Sequence, residues 1–410
     1  MGDVCGWMVS RLLLTAPLAA VGAGAGAQPA QTLPTVEVVD SPVYAVQFPG
    51  DTLYTGSALT AEGMALSGAA GRSSVFANLD VLPGVLSEPV DPYGLGASFT
   101  RVRGVRSLFL GVSLEGLPNY GIMPIGPREN VYDFENVETV GLYKGATPVG
   151  LGSASGNRGG TIELRYRRPE VEPGVQVSQG LGSDGYRRSF ARLDSGTLGN
   201  DLRAFASYSF TEADKWKGAG DLGPRRHLNL AVAQGTGPGG DALLELFVNA
   251  QDFERHEFRG LDFVQAADMD ANRDVDYNTR RTGNPAADRF FFDYYHQESE
   301  NRDLFARANI PLGEGTLEVR PYYASEEATL RDGTRDRLRD LDRYGVVGEY
   351  RGRAGPVRLT TGYWLESANL EKSMRAMGIT AAGRDYAGRW LYLAENDGRG
   401  SIHSPYAQVG

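Results

Sequence analysis

The sequence predicts a mixed α/β domain followed by the strands of an antiparallel transmembrane β-barrel, and three observations carry that expectation. First, two β segments, residues 140–144 and 161–166, flank a Gly/Ser/Ala-rich passage at 150–160. So much glycine between strands implies backbone running close past backbone, with positive φ at several points. Second, beyond Pro169 segments of about ten residues alternate apolar and polar side chains, as a wall with one lipid face and one wet face requires. Third, the connections alternate in length: short turns at 197–201, 235–241, 313–315 and 353–356, long polar stretches at 211–227, 251–302, 329–342 and 371–400. A soluble sandwich has no cause to keep that parity, whereas a barrel has turns at one rim and loops at the other.

Composition narrows the function classes. The 410 residues include 54 glycines and carry a formal net charge of −10. An acidic chain lacks the basic face that phosphate contacts need, so nucleic acid is excluded as a partner. After the N-terminus there is no run of ~18 apolar residues, so no helical span is expected, which leaves strands free to cross a membrane. Cys5 is the one cysteine. Once the segment bearing it is removed, no disulfide is available and any metal must find other ligands.

In chain order, Arg11 precedes an apolar run at 12–21, and Ala25 and Ala27 supply small residues at −3 and −1. Residues 1–27 are therefore expected to be a secretory signal cleaved before Gln28. Asp3 is unusual so early in such a signal, and Met8 is the alternative start. Residues 28–40 form a leader in which Thr35, Val36, Glu37, Val38 and Val39 follow a proline and favour an extended conformation. Such a segment suits pairing with the sheet edge of a partner. Residues 41–168 hold the mixed domain. Within it 73–82 is expected to be a short helix, with Phe76, Leu79 and Leu82 on one face and Pro83-Gly84 as its stop. Residues 108–114 are expected to be a strand and 115–118 its turn. The stretches 91–96 and 120–128, with Tyr93, Tyr120, Met123 and Arg128, have loop composition.

Three ordered motifs give this domain a resemblance. Asn78 to Val85 contains Leu82-Pro83-Gly84. Arg101-Val-Arg103-Gly104 is followed by residues 108–118, which contain Glu115-Gly116-Leu117-Pro118. Val137-Glu138 leads to Lys144-Gly145, then Gly156, Gly159-Gly160 and Ile162. Together they resemble the plug domain of TonB-dependent outer-membrane receptors, over roughly residues 34–168. The resemblance implies a plug inside a barrel and a TonB box at Thr35, Val36, Glu37, Val38 and Val39. It further implies plug-apex loops that touch ligand, here Tyr93, Tyr120, Met123 and Arg128. In the family the basic residues of the second and third motifs, here Arg103 and Lys144, pair with acidic groups of the wall. A nucleotide-binding reading of the glycines fails because a phosphate cradle needs a helix after them, and a β-branched strand follows instead.

In the wall, Leu244, Leu246, Val248 and Ala250 oppose Glu245, Asn249 and Gln251. Leu304, Ala306, Ala308 and Ile310 oppose Arg307 and Asn309, and Val357, Leu359, Tyr363 and Leu365 oppose Arg358, Thr360 and Glu366. Residues 169–410 supply about ten strands, whereas a plugged transporter takes ~22. The expectation is therefore a partial barrel, the N-terminal part of a longer receptor, with Arg103 and Lys144 finding their acids in the remainder. In the longest polar stretch Asp268, Asp270, Asn272, Asp274 and Asp276 place oxygen donors at alternate positions, a pattern suggestive of Ca²⁺. Arg273 and Thr279 depart from it where glycine and glutamate belong. Residues 290–296, Phe-Phe-Phe-Asp-Tyr-Tyr-His, read as ligand surface or, the preferred reading, as an aromatic girdle where the next strand enters the membrane. His227, His256, His296 and His403 lie in no catalytic motif, and no enzyme is expected. The function expected from the resemblance is uptake of a scarce nutrient, most often a ferric siderophore, through an outer membrane with periplasmic TonB as partner. The alternative is a non-transporting remnant or a surface adhesin of the same architecture.

Overall fold

The wall is a ten-stranded antiparallel meander in which every strand pairs with the next. The computed structural model describes residues 46–47, 54–68, 73–121, 128, 131–151, 158–236, 242–284, 288, 290–333, 335–379 and 385–410. The signal, the leader with its box, Met123 and Gly156 lie outside them.

The N-terminal domain is built on a six-stranded sheet. In chain order its elements are β1 (Val46–Gln47), β2 (Gly56–Thr60), α1 (Ala61–Leu66), β3 (Val85–Pro89), β4 (Ser98–Val102), β5 (Val105–Arg106), β6 (Gly111–Leu114), β7 (Leu117–Pro118), β8 (Val137–Tyr143) and β9 (Thr161–Tyr166). Sheet order is β1-β2-β8-β9-β6-β7, and β3, β4 and β5 form a separate small sheet. The expected helix at 73–82 is a 3₁₀ turn, Phe76–Val81, whose Phe76, Leu79 and Leu82 are buried in the domain core. Leu108 lies in another 3₁₀ turn, Ser107–Phe109, so the strand after it begins only at Gly111. The sequence reading missed α1, whose N-cap Thr60 accepts from the Gly63 amide at 3.1 Å. At the glycine-rich junction Gly160 has φ +127, and a Cβ there would strike the Tyr143 carbonyl. Only glycine lets β9 pass that close to the end of β8.

The wall comprises β10 (Pro173–Leu181), β11 (Arg187–Ser195), β12 (Leu202–Glu212), β13 (Arg225–Thr236), β14 (Ala242–His256), β15 (Tyr295–Leu312), β16 (Gly315–Asp332), β17 (Arg335–Ala354), β18 (Val357–Ile379) and β19 (Asp385–Val409). The alternation holds: Leu230, Val232, Leu244, Leu246, Leu304 and Tyr363 are exposed on the outer face, while Phe205, Phe247, Phe305 and Trp364 point inward and are buried. The short turns at 197–201, 313–315 and 353–356 fall where they were expected, and most of the one at 235–241 lies outside the described residues.

Two of the long loops do not form. Residues 329–342 and 371–400 are mostly strand, and β16 joins β17 through residues 333–334 alone. Gly333 opens the two-residue connection, the place a Gly-X hairpin gives its glycine, and has φ +67. The charges around it pair across the strands, Arg331 with Asp336 at 2.9 Å and Arg337 with Asp332 at 2.7 Å. A strand standing in water tolerates such a ladder, so its polarity does not make it a loop. The aromatic segment is also not a girdle. Phe291 packs edge-on against Phe292 and Tyr294, and the Arg259 guanidinium lies 4.2 Å from the Phe290 ring centre. It is separated from the exposed apolar residues that begin at Leu304 by nearly half of β15.

Candidate functional site

The surface that joins the inner domain to the wall concentrates the buried charge of this chain. At the short-turn end, β6 and β7 are linked by Glu115 and Gly116 with φ of +52 and +71, the pair of left-handed residues a tight hairpin needs. A side chain at position 116 would collide with Arg320. The turn drives the Glu115 carboxylate into the interface. There it accepts from the Tyr166 amide at 2.7 Å, from Arg168 Nη1 and Nη2 at 2.9 and 2.6 Å, and from Arg307 Nη1 at 3.1 Å. Arg168 also meets Glu245 at 3.1 Å, and Arg307 pairs with Glu245, its cross-strand partner. Two acids and two arginines thus alternate, one of each from the inner domain and from the wall. Arg320 donates to the carbonyl of Glu115 at 2.7 Å. Beside this set lies a polar cavity of about 450 Å³ bounded by Tyr54, Arg320, Glu349 and Gln408.

Midway along the interface Tyr166 stacks on Phe247 and Phe305 at 5.4 and 5.8 Å. Toward the long-loop end charges return. Asp133 sits 2.8 Å from His227 Nδ1 and 3.0 Å from Arg188 Nη2, and Arg188 also holds Glu135 at 2.6 Å. Burial alone pushes the Asp133 carboxyl up, but His227 and Arg188 outweigh it and hold the group well below the usual carboxylate range. Arg225 donates to the carbonyls of Ser73 at 2.6 Å and Tyr132 at 2.9 Å.

The residues expected at a ligand-binding apex are drawn into the same interface. Arg128 donates to Asp303 at 2.7 Å and is buried. The Tyr120 hydroxyl donates to Glu366, and the Arg343 guanidinium lies 4.0 Å from the centre of its ring. Tyr93 stacks on Tyr186 at 3.9 Å, and its hydroxyl donates to the Ser183 carbonyl at 2.9 Å. In this structure these three act as pins between domain and wall rather than as a free face.

The cations of the sequence motifs are not buried. Arg101 is half exposed and pairs with Glu88 at 3.4 Å, while Arg103 and Arg106 are exposed. Arg103 donates to the Lys144 carbonyl at 3.1 Å, and the Lys144 ammonium donates to the Pro83 carbonyl. Partial burial, and then the neighbouring Arg103, push the Lys144 amine below its ordinary value. Pro83, Gly84, Arg103, Lys144 and Gly145 are thereby brought together at one corner. Gly84 and Gly104 take positive φ in the adjoining turns, and Gly159 packs tightly on Val105 and Leu110.

The acidic run 268–276 does not make an oxygen cage. Asp268 caps a short helix, Met269–Asn272, by accepting from the Ala271 amide at 3.1 Å. Asp276 is buried 3.1 Å from Lys215 and accepts from the Arg259 amide at 2.9 Å. Helical backbone at Asp270 and Asn272 turns the alternate donors away from a common centre. An ammonium occupies the position a cation would need at Asp276.

No family model matches this sequence, and no curated protein matches it. Solved structures do. The unliganded ferric citrate transporter FecA superposes with a TM-score of 0.64 at 17% identity over 87% of this chain and 54% of its own. The ferric-catecholate import receptor Fiu from E. coli K12 gives 0.64 at 14% identity, covering 88% and 57%. The ferripyoverdine receptor of the outer membrane of Pseudomonas aeruginosa, bound to ferripyoverdine, gives 0.62 at 15%, covering 87% and 49%. This chain spans about half the length of these proteins. The fold is the plug-and-barrel architecture that the motif resemblance implied.

Proposed function

We propose that this chain acts as a TonB-dependent outer-membrane receptor for the energised uptake of a scarce nutrient, with a ferric siderophore as the cargo class. The observation that carries the proposal is the chemistry of the interface. A domain lying against the inside of a barrel wall blocks passage, and transport requires that it shift and return. Contacts made by Glu115, Arg168, Glu245 and Arg307 suit that cycle, because water can re-solvate charges that separate. Buried ion pairs contribute little net free energy over their hydrated parts, whereas a continuous apolar seam of the same area would resist opening at ~25 cal/mol per Å². The polar cavity beside them admits that water.

The transport reading supplies the rest. The short-turn rim faces the periplasm and the long-loop rim the exterior. Ligand binds from outside near Tyr93 and the loop after β14, and the box at residues 35–39 pairs as a strand with TonB. The outer membrane has no potential of its own, so energy arrives through that contact. The test is Val38→Pro in the receptor expressed from its own locus in iron-starved cells. Proline removes a backbone donor, so energised accumulation of ferric siderophore should fall to background while surface binding persists. Uptake at the normal rate in that strain would sink the assignment.

A further inference from the structure

We propose that Glu254, His296 and Glu298 form a binding site for a zinc-class divalent cation on the outer face of the wall, at the root of the 257–294 connection. Glu254 and Glu298 are direct cross-strand partners on β14 and β15, and His256 and His296 are the next such pair on the same face. Like charges placed directly opposite repel, so two facing carboxylates call for a cation between them. Two of the nearby guanidiniums have other acids of their own. Arg302 holds Asp252 at 2.9 Å and Glu300 at 3.1 Å, while Arg331, the cross-strand neighbour of His296, reaches Asp336 at 2.9 Å.

What stands between the acids is an imidazole. His296 is only 8% exposed, and its Nε2 has no hydrogen-bond partner. That nitrogen lies 3.2 Å from Glu254 Oε1, and Nδ1 lies 3.5 Å from Glu298 Oε1. Ligand atoms from all three residues fall within 4.8 Å of one another. Two donors at ~2.0–2.1 Å from a tetrahedral ion are separated by roughly 3.3 Å, close to the observed Nε2–Glu254 spacing. The Glu254 and Glu298 side chains are 50% and 61% exposed, so they are free to close on an ion arriving from solution. His256 fixes the imidazole plane by stacking on it at 4.9 Å, and its own Nδ1 is engaged by the Asp221 amide at 3.0 Å. One nitrogen and two carboxylate ligands with open positions for water favour zinc over calcium, which takes six to eight oxygens. Occupancy would clip β14 to β15 where the longest connection leaves the wall. The proposal does not depend on the chain being a transporter.

The test uses the purified full chain in detergent, stripped with chelator and titrated with zinc alone. The expected result is one zinc per chain, undisplaced by excess calcium, with affinity reduced by about tenfold or more in H296Q and in E254Q. Cobalt(II) in place of zinc should give tetrahedral ligand-field absorption that H296Q abolishes. Asp293→Asn, which leaves the three ligands in place, should bind as the parent does, and circular dichroism should show every variant folded. No stoichiometric zinc in the parent chain overturns the proposal. So does undiminished binding in both H296Q and E254Q, or calcium displacing the zinc, which would mark a diffuse acidic surface.

Discussion

Glu115→Gln isolates the charge of the short-turn cluster, since the amide keeps the size and the left-handed turn while removing the negative charge. Four donors converge on that carboxylate, two of them from Arg168 and one from Arg307. Losing one partner of a buried ion pair costs ~3–5 kcal/mol. Two features reduce that figure here. Glu245 remains in contact with both arginines, and the Arg168 side chain is 26% exposed, so water recovers part of its solvation. A net loss of about 2–3 kcal/mol is expected, equivalent to a roughly 30- to 150-fold rise in local opening. Amide hydrogen exchange in detergent at neutral pH reads this directly at Tyr166, whose N–H is bonded to Glu115. Amides around Tyr186, at the opposite end of the wall, should be unaffected. Combining the change with Arg307→Gln should give a coupling of at least about 1 kcal/mol. Exchange at Tyr166 within threefold of the parent, or strict additivity in the double variant, would refute the reasoning that the Glu115 charge couples to Arg168 and Arg307 at this end of the interface.

Three further outcomes are expected. Gly145→Ala should cost about 1–3 kcal/mol through backbone strain alone, because φ is +125 and nothing lies within 4 Å of a Cβ there. Gly160→Ala should cost clearly more, because its Cβ meets the Tyr143 carbonyl; equal shifts in denaturant midpoint would contradict the packing argument. Burial and Arg103 lower the Lys144 amine, so Arg103→Gln should raise it toward its ordinary value, leave less neutral amine at pH 9, and slow its acylation. Faster labelling in that variant, followed by mass spectrometry, would contradict the sign. Mature protein recovered from an outer-membrane fraction should begin at or near Gln28, and an intact Met1 or Met8 terminus would remove the signal reading.

The sequence made the wall legible and left its partners obscure. Period-2 alternation placed Glu245, Arg307 and Glu366 on the wet face correctly, because side-chain direction in a strand follows from parity alone. It was silent on Glu115 meeting Arg307 from 192 positions away, since such pairs depend on how a second domain is seated. The bulky charges on the inward parity of several strands were the available clue, as an empty aqueous lumen does not bury arginines. Loop length failed for a different reason. Polarity does not mark a connection, because a strand that stands beyond its apolar stretch can carry charge on both faces. The turn at Gly333 was readable, and the charge around it concealed it. The run 268–276 misled because alternate acidic residues fit a short capped helix as well as a cation loop, and spacing alone cannot separate the two.

Strand length grows along the chain from nine residues in β10 and β11 to 18 in β15 and 25 in β19. At ~3.3 Å per residue and a tilt of ~40°, the first strands rise roughly 23 Å, about the height of the ~25 Å apolar band, and the last rises roughly 60 Å. The long-loop rim of this wall is therefore cut on a slant, low at β10 and β11 beside the stacked Tyr93 and Tyr186 and high at β19. A bulky visitor arriving over the low side meets the inner domain after a short descent, whereas one arriving over the high side must first clear the long strands. The depth of the inner domain below the rim thus varies along the wall, set by where the chain spends its residues.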